Sequence, residues 1–362
     1  MNGGKVKVCV LGGGKMGTAI ASLVAEHGID VSMWVRRRNL CDEIEKNRTN
    51  TDYYPSRTLP ERLHARTGMR SCIEGAKMII LAVPSQSVRT VARKALQYTG
   101  RETPVFIVAK GVEFPPLRWM SEVIQNEMPG RPVAVISGPN FASELIDHRP
   151  SATVIASKNV AARELGRACL SSENLRIWET DDVKGVEICG CMKGLMAIVI
   201  GLGDAYGQGD NARGELIVQA IQETRVLCHR MGANPETVLG PAGVGDMITT
   251  SFSLRSRSRT LGEMLGLGLE PKMAHKVASG GITAEGVKSV AAMRHLTSRF
   301  HLKAPLVDFA FDVLCGGREL REVFPRLWAR LEAQSGGRTS RVTKSQPSLA
   351  LSRDAPRQQQ SV

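Results

Sequence analysis

Val6 to Gly17 reads VKVCVLGGGKMG. Val6, Val8, Val10 and Leu11, with Cys9 among them, form the short apolar run of a strand buried in a parallel sheet. Gly12, Gly14 and Gly17 follow in G-x-G-x-x-G spacing, and Ala19, Ile20, Leu23 and Val24 then recur at helical spacing up to Gly28. Strand, glycine turn and helix in that order predict a dinucleotide-binding unit rather than an ordinary βα turn. Gly12 makes the tight turn, Gly14 lets backbone approach a pyrophosphate, and Gly17 lets helix and strand pack closely. The helix N-terminus adds N–H donors and a positive dipole end.

Asp30 to Val35, DVSMWV, predicts the second strand. The fingerprint expects an acidic residue near its end to hold a ribose 2′-hydroxyl. Arg36, Arg37 and Arg38 stand there instead. Guanidinium groups attract a 2′-phosphate that a carboxylate repels, so the stretch favours NADPH among the NAD(P)H cofactors. Residues 48 to 60 read as a loop. Further strands are expected at Lys77 to Val83, Pro104 to Ala109, Val133 to Ile136, Ala152 to Ala156 and Leu175 to Trp178, with helices between them. The alternation implies an α/β fold, a Rossmann-type doubly wound parallel sheet over residues 1–180. Ligands bind beyond the carboxyl ends of such strands, and Pro84, Lys110 and Asn140 all follow strand ends.

Asp181-Asp182 changes the pattern. Val186, Ile188, Met192, Leu195, Met196 and Val199 fit one helical apolar face, and Leu216, Ile217, Ala220, Ile221, Val226 and Leu227 fit another. More helices are expected at 261–265, 273–277, 287–296 and 305–314. Residues 181–334 therefore read as an all-helical C-terminal domain. From Ser335 the composition turns to Ser, Gln, Arg and Pro, which reads as a disordered basic tail over 335–362.

A chain of 362 residues accommodates two domains. No uninterrupted apolar run suggests a membrane span. The first strand begins about five residues from Met1, which leaves no room for a leader and makes the cytosol the expected compartment. Eight scattered cysteines read as free thiols. Cys189-Gly-Cys191 is too tight for a zinc knuckle, so no metal is expected. The net charge of +13 would suit a polyanion, yet aromatics make up only 4% and no nucleic-acid motif appears. Small phosphorylated ligands account for the balance better than nucleic acid does.

Lys193 lies between Cys191-Met192 and Gly194-Leu195, on no obviously polar face. Burial favours the neutral form of a lysine and suits it to proton exchange with an alcohol or ketone oxygen. With its surroundings the chain resembles the NAD(P)-dependent glycerol-3-phosphate dehydrogenases, nearer the bacterial and plastid type. The resemblance rests on LGGGKMGTA at 11–19, VPSQ at 83–86, AKGVE at 109–113 and SGPNFASEL at 137–145. It continues through GVEICGCMKG at 185–194, GQGDNARGEL at 207–216, GPAGVGDMITT at 240–250, SRSR at 256–259 and AEGV at 284–287.

The resemblance implies hydride transfer between a nicotinamide and C2 of dihydroxyacetone phosphate or sn-glycerol 3-phosphate, supplying glycerolipid synthesis, by a homodimer. It implies that Lys193 donates the proton to the ketone oxygen, that Lys110 is a second lysine between substrate and nicotinamide, and that Asp246 orients Lys193. Read alone, Asp246 beside Gly245 also fits a helix N-cap. Gly138, Asn140 and Ala142 match positions lining substrate and nicotinamide. Thr250, Ser256, Arg257 and Ser258 match the phosphate site, with Arg257 also touching the cofactor. Lys15, Met16 and Arg36 match the pyrophosphate and adenosine side, and Thr283 and Glu285 match further cofactor contacts.

Two positions depart from the family pattern. Gly194 follows Lys193 where the family has Asn, and Ser258 stands where the phosphate segment has Asn. A lost hydrogen bond to a charged group is worth about 1.5–3 kcal/mol. The departures motivate two alternatives: a related β-hydroxyacid or sugar-acid dehydrogenase, and a nucleotide-binding homologue without catalysis.

Overall fold

In a computed structural model the described residues are 6–269 and 285–334. The first half alternates strands and helices: β1 (Lys7–Leu11), α1 (Lys15–Glu26), β2 (Asp30–Trp34), α2 (Arg38–Asn47), β3 (Leu63–Arg66), α3 (Met69–Ile73), β4 (Met78–Leu81) and α4 (Ser85–Leu96). It continues with β5 (Val105–Ile107), a small hairpin of β6 (Val112–Glu113) and β7 (Arg118–Trp119), α5 (Met120–Glu127), β8 (Val133–Ser137), α6 (Ala142–Ile146), β9 (Ser151–Ala156), α7 (Val160–Leu170) and β10 (Leu175–Thr180).

The large sheet has the order β10-β9-β8-β5-β4-β1-β2-β3. β1 lies between β2 and β4, parallel to both, with Cys9 opposite Ser32 on one side and Ile79 on the other. Its residues Val8 to Leu11 are fully buried, as helices on both faces require. Strand order reverses between β1 and β4, and the crevice at that switch point is where doubly wound sheets take nucleotides.

The sheet differs from the expected pattern in two places. β9 runs antiparallel to β8, with Ile136 opposite Ile155. A parallel neighbour needs a full crossover, and this connection holds only the five-residue α6, so the chain turns back along the sheet edge. β3 was not anticipated either. Its buried Leu63 and Ala65 alternate with His64 and Arg66, a half-buried pattern too short to stand out from the loop before it.

The second half is built from α8 (Val183–Ala205), α9 (Asp210–Arg230), α10 (Asp246–Phe252), α11 (Arg257–Gly266), α12 (Glu285–Arg299), α13 (Pro305–Leu314) and α14 (Leu320–Gln334). The helix expected at 273–277, Thr283 and the tail all lie outside the described residues. α8 is the axis of this half. It is long and apolar enough to cross a membrane, with mean hydropathy 1.7, but 89% of that stretch is buried inside the protein, as befits a core helix. Glycines let α11 cross it closely. A Cβ on Gly201 would stand 2.2 Å from the Arg259 carbonyl oxygen, and one on Gly262 would stand 2.1 Å from that of Ile198.

Two buried carboxyls tie helix starts into this core. Glu187 on α8 accepts from the Ser121 amide at 2.9 Å and its hydroxyl at 2.6 Å, at the first turn of α5. Glu223 on α9 accepts from the amides of Leu306 and Val307 at 2.8 and 3.3 Å, at the start of α13. Burial pushes each up to about 7, against which the donated hydrogen bonds pull only in part. All eight cysteines are free, and only Cys315 is exposed.

Candidate active site

The glycine turn is shaped for a dinucleotide. Gly12 has φ +127°, and a Cβ there would lie 2.5 Å from the Ala82 carbonyl oxygen, at the end of β4. A Cβ on Gly17 would lie 1.9 Å from the Gly12 oxygen. A Cβ on Gly14 would meet nothing within 4 Å, so the face above the first turn of α1 is open. No side chain caps that turn, which leaves its N–H groups to an anion such as a pyrophosphate. Lys15 and Met16 occupy the same turn, exposed and half-buried.

The sequence reading missed two supports of this turn. Asn50, fully buried, donates to Thr18 Oγ1 at 2.9 Å and to the Gly13 carbonyl at 3.3 Å. The Tyr54 hydroxyl donates to the Lys15 carbonyl at 2.7 Å. Both come from the stretch read only as loop; a polar residue among turn residues carries no sign of burial. At the end of β2, Arg37 pairs with Asp52 and Arg38 with Asp42, whereas Arg36 is exposed and makes no ion pair among the described residues.

The second cluster lies where the carboxyl edge of the sheet meets the helical half. Lys110 follows β5, and its Nζ donates to Asp246 Oδ2 at 2.6 Å, the Gly138 carbonyl at 2.8 Å and Asn140 Oδ1 at 3.1 Å. Gly138, at φ +141°, turns its carbonyl to the lysine in a conformation that favours glycine. Asn140 is fixed by donating to Thr153 Oγ1 at 2.9 Å, and Thr153 donates to the Ser137 carbonyl at 3.0 Å. Gly190 on α8 borders the lysine: a Cβ there would stand 3.5 Å from the Lys110 Cβ, an ordinary van der Waals contact. Ala142 is buried at the start of α6.

From the other side, Lys193 Nζ on α8 donates to Thr250 Oγ1 at 3.2 Å and lies 3.7 Å from Asp246 Oδ1. Thr250 in turn donates to Asp246 Oδ1 at 3.1 Å. Asp246 is the first residue of α10 and does not cap it, so the N-cap alternative falls away. Burial pushes its carboxyl up, but the ammoniums of Lys110 and Lys193 overcome this and hold it below the usual carboxylate range. Lys110 is pushed down to about 8, chiefly by withdrawal from water and further by the charge of Lys193, with Asp246 opposing.

Ser256, Arg257 and Ser258 open α11. Ser256 Oγ accepts from the Arg259 amide at 3.2 Å and so caps the helix. Arg257 is exposed, and Ser258 is half-buried facing α8. Arg259 is spent on structure: it bonds Asp204 at 2.9 Å and Glu263 at 2.6 Å, while Arg213 holds the other Asp204 oxygen at 2.5 Å. This network anchors the α11 start against α8 and α9. Glu285 begins α12.

The fold and this site together define a class: a dinucleotide-binding domain joined to a helical domain, with a lysine–aspartate–lysine centre at the junction. Residues 7–163 match the family profile described as the NAD-dependent glycerol-3-phosphate dehydrogenase N-terminus, and residues 182–325 match the C-terminus of the same family. A protein of Anaeromyxobacter dehalogenans named glycerol-3-phosphate dehydrogenase [NAD(P)+] is 36% identical over 90% of this chain and 98% of its own. One of the same name from Bacillus pumilus is 34% identical over 90% of this chain and 95% of its own. The crystal structure of glycerol-3-phosphate dehydrogenase from Coxiella burnetii superposes with a TM-score of 0.84 at 30% identity, covering 90% of this chain and 99% of that one. The chain belongs to the NAD-dependent glycerol-3-phosphate dehydrogenase family.

Proposed function

We propose that this protein interconverts dihydroxyacetone phosphate and sn-glycerol 3-phosphate, with Lys193 as the proton-transfer group. One observation carries the assignment of roles. An ammonium has three N–H donors, and those of Lys110 are matched by the Gly138 carbonyl, Asn140 and Asp246. Lys193 makes one hydrogen bond, to Thr250, among the described residues and keeps donors for a ligand.

The glycine turn would hold the pyrophosphate of a nicotinamide dinucleotide, which would supply the hydride in reduction and accept it in oxidation. Lys193 gives its Nζ proton to the ketone oxygen during reduction and takes it back from the alcohol during oxidation. Asp246 orients Lys193 through Thr250 and offsets the positive charge of both lysines. Lys110 fixes Gly138 and Asn140 at the wall of the site. Arg257, on the exposed start of α11, holds the phosphate with Ser258 and the free N–H groups of the first turn, an arrangement suited to a dianion. Ser256 keeps that turn in place, and Ala142, Thr283 and Glu285 belong to the cofactor side.

NADPH is the favoured cofactor in this reading. Arg36 supports it, because its two neighbours are committed to aspartates and it is not. The domain limits 1–180 and 181–334, a cytosolic homodimer and a basic tail of residues 335–362 complete the proposal.

The test is oxidation of NADPH and NADH in parallel with dihydroxyacetone phosphate, followed by the near-ultraviolet absorbance of the reduced nicotinamide. Ketone-dependent loss, faster with NADPH, is expected. Arg36→Ala should then raise the KM for NADPH by about 10- to 100-fold, the value of a charge-assisted hydrogen bond, with little change for NADH. Loss with NADH alone would overturn the role of Arg36. No loss with either would overturn the reaction.

A further inference from the structure

Asp204 stands one residue before the end of α8, the helix that carries Lys193. Its side chain is only 10% exposed, and both carboxylate oxygens are in use. Oδ2 accepts from Nε and Nη2 of Arg259 on α11 at 3.3 and 2.9 Å, and Oδ1 accepts from Nε of Arg213 on α9 at 2.5 Å. The other carboxylates beside these arginines are local. Glu263 lies one turn from Arg259 on the same helix, and Asp210 lies in the same first turn of α9 as Arg213. Within this network only the ion pairs of Asp204 join one helix to another. Without Asp204 each arginine would keep a partner on its own helix, and α11 would lose its polar tie to the end of α8.

Close packing sets how near α11 lies to α8. At Gly201 and Gly262 each helix meets the other's backbone with no side chain between them, so little there opposes sliding along the axis. Directional hydrogen bonds to a buried carboxylate do oppose it. The register matters for the site. Lys193 and Asp204 are eleven residues apart, which puts them on one face of α8 and about 16 Å apart along its axis. On α11, Arg257 comes two residues before Arg259. A Cβ on Gly194 would be in van der Waals contact with Ser258 Oγ, so the start of α11 lies beside the turn that carries Lys193.

We propose that Asp204 is a positioning residue for the reaction: through Arg259 it sets where the first turn of α11 stands relative to Lys193. The inference rests on the proposed reaction, in which Arg257 holds the phosphate and Lys193 exchanges the proton. A phosphate held at a fixed place on α11 brings the ketone oxygen to Lys193. A shift of about 1 Å in that place costs on the order of 100-fold in rate. A ketone without a phosphate does not use α11 and does not feel the shift.

The experiment compares kcat/KM for dihydroxyacetone phosphate with that for dihydroxyacetone, which lacks the phosphate, in the wild type, Asp204→Asn, Arg259→Lys and Arg257→Ala. Asp204→Asn should lower the ratio by about 10- to 100-fold. Arg259→Lys keeps the charge but loses the planar fork. It should lower the ratio by less, and it remains readable if Asp204→Asn impairs folding. A ratio lowered by Arg257→Ala but untouched by both other variants would overturn the role of Asp204. So would equal losses for the two ketones in Asp204→Asn, the mark of a merely structural residue. A ratio untouched by Arg257→Ala would instead overturn the phosphate site, and turnover of neither ketone by the wild type would overturn the reaction.

Discussion

The glycine turn and the lysine–aspartate centre sit on the same edge of one sheet but are specified in different ways. The turn is written in one contiguous stretch and enforced by contact at short range. Gly17 can carry no Cβ because the Gly12 oxygen would stand 1.9 Å away. The centre is assembled from four separated segments, and its shortest hydrogen bond joins residues 136 apart in sequence. It is held by charge: two ammoniums share one carboxylate at the junction of the two halves. A steric device tolerates almost no side chain, while an electrostatic one tolerates changes of shape but not of charge.

Asp246→Asn should have the largest effect. It leaves Lys110 and Lys193 together without their counter-charge, and breaking such a pair costs about 3–5 kcal/mol. Chemical denaturation should register the loss, turnover should fall about 100-fold or more, and nucleotide titration should still report an intact glycine turn. Equal damage to nucleotide binding would dissolve the distinction between the two regions.

The core of the helical half responds to pH through Glu223. Its value rises from 4.5 in the unfolded chain to about 7 in the folded one, so the fold keeps the proton longer. That contribution is full below about pH 4.5 and is lost as pH rises to about 7, by on the order of 3 kcal/mol. Glu223→Gln should flatten the decline in melting temperature across this window.

Gly17→Ala is expected to cost about 1–3 kcal/mol in stability through overpacking, and nucleotide titration should show a larger loss than in Asp246→Asn. Asn50→Ala should have the smallest effect, about 1 kcal/mol in a denaturant titration. It removes the clamp on Gly13 and Thr18 without placing any atom in the turn.

What was legible in the sequence follows the same division. Apolar strands buried on both faces announce themselves, so β1, β2, β4, β5 and β8 were placed from their runs, and the glycine turn from its spacing. β9 and β10 were placed as well, but not the reversed direction of β9, because strand direction depends on what the connection crosses; β3 was missed, because alternation over four residues is faint. At the centre, the lysines and Asp246 were named through resemblance to a family; nothing local in the sequence tells that Lys110 uses three partners and Lys193 one. Thr153, Asn50 and Tyr54 act only through long-range hydrogen bonds, which leave no periodic trace. The facing of Gly194 and Ser258 was equally hidden, since 64 positions part them and only the close α8–α11 crossing brings them together.

The most direct test of the central claim is kcat for dihydroxyacetone phosphate reduction by Lys193→Ala, measured beside nucleotide affinity in the same preparation. A fall of about 100- to 10,000-fold is expected, the worth of a positioned proton donor, with nucleotide affinity retained. Turnover within a few-fold of the wild type would contradict it, and would move proton transfer to another group on the junction.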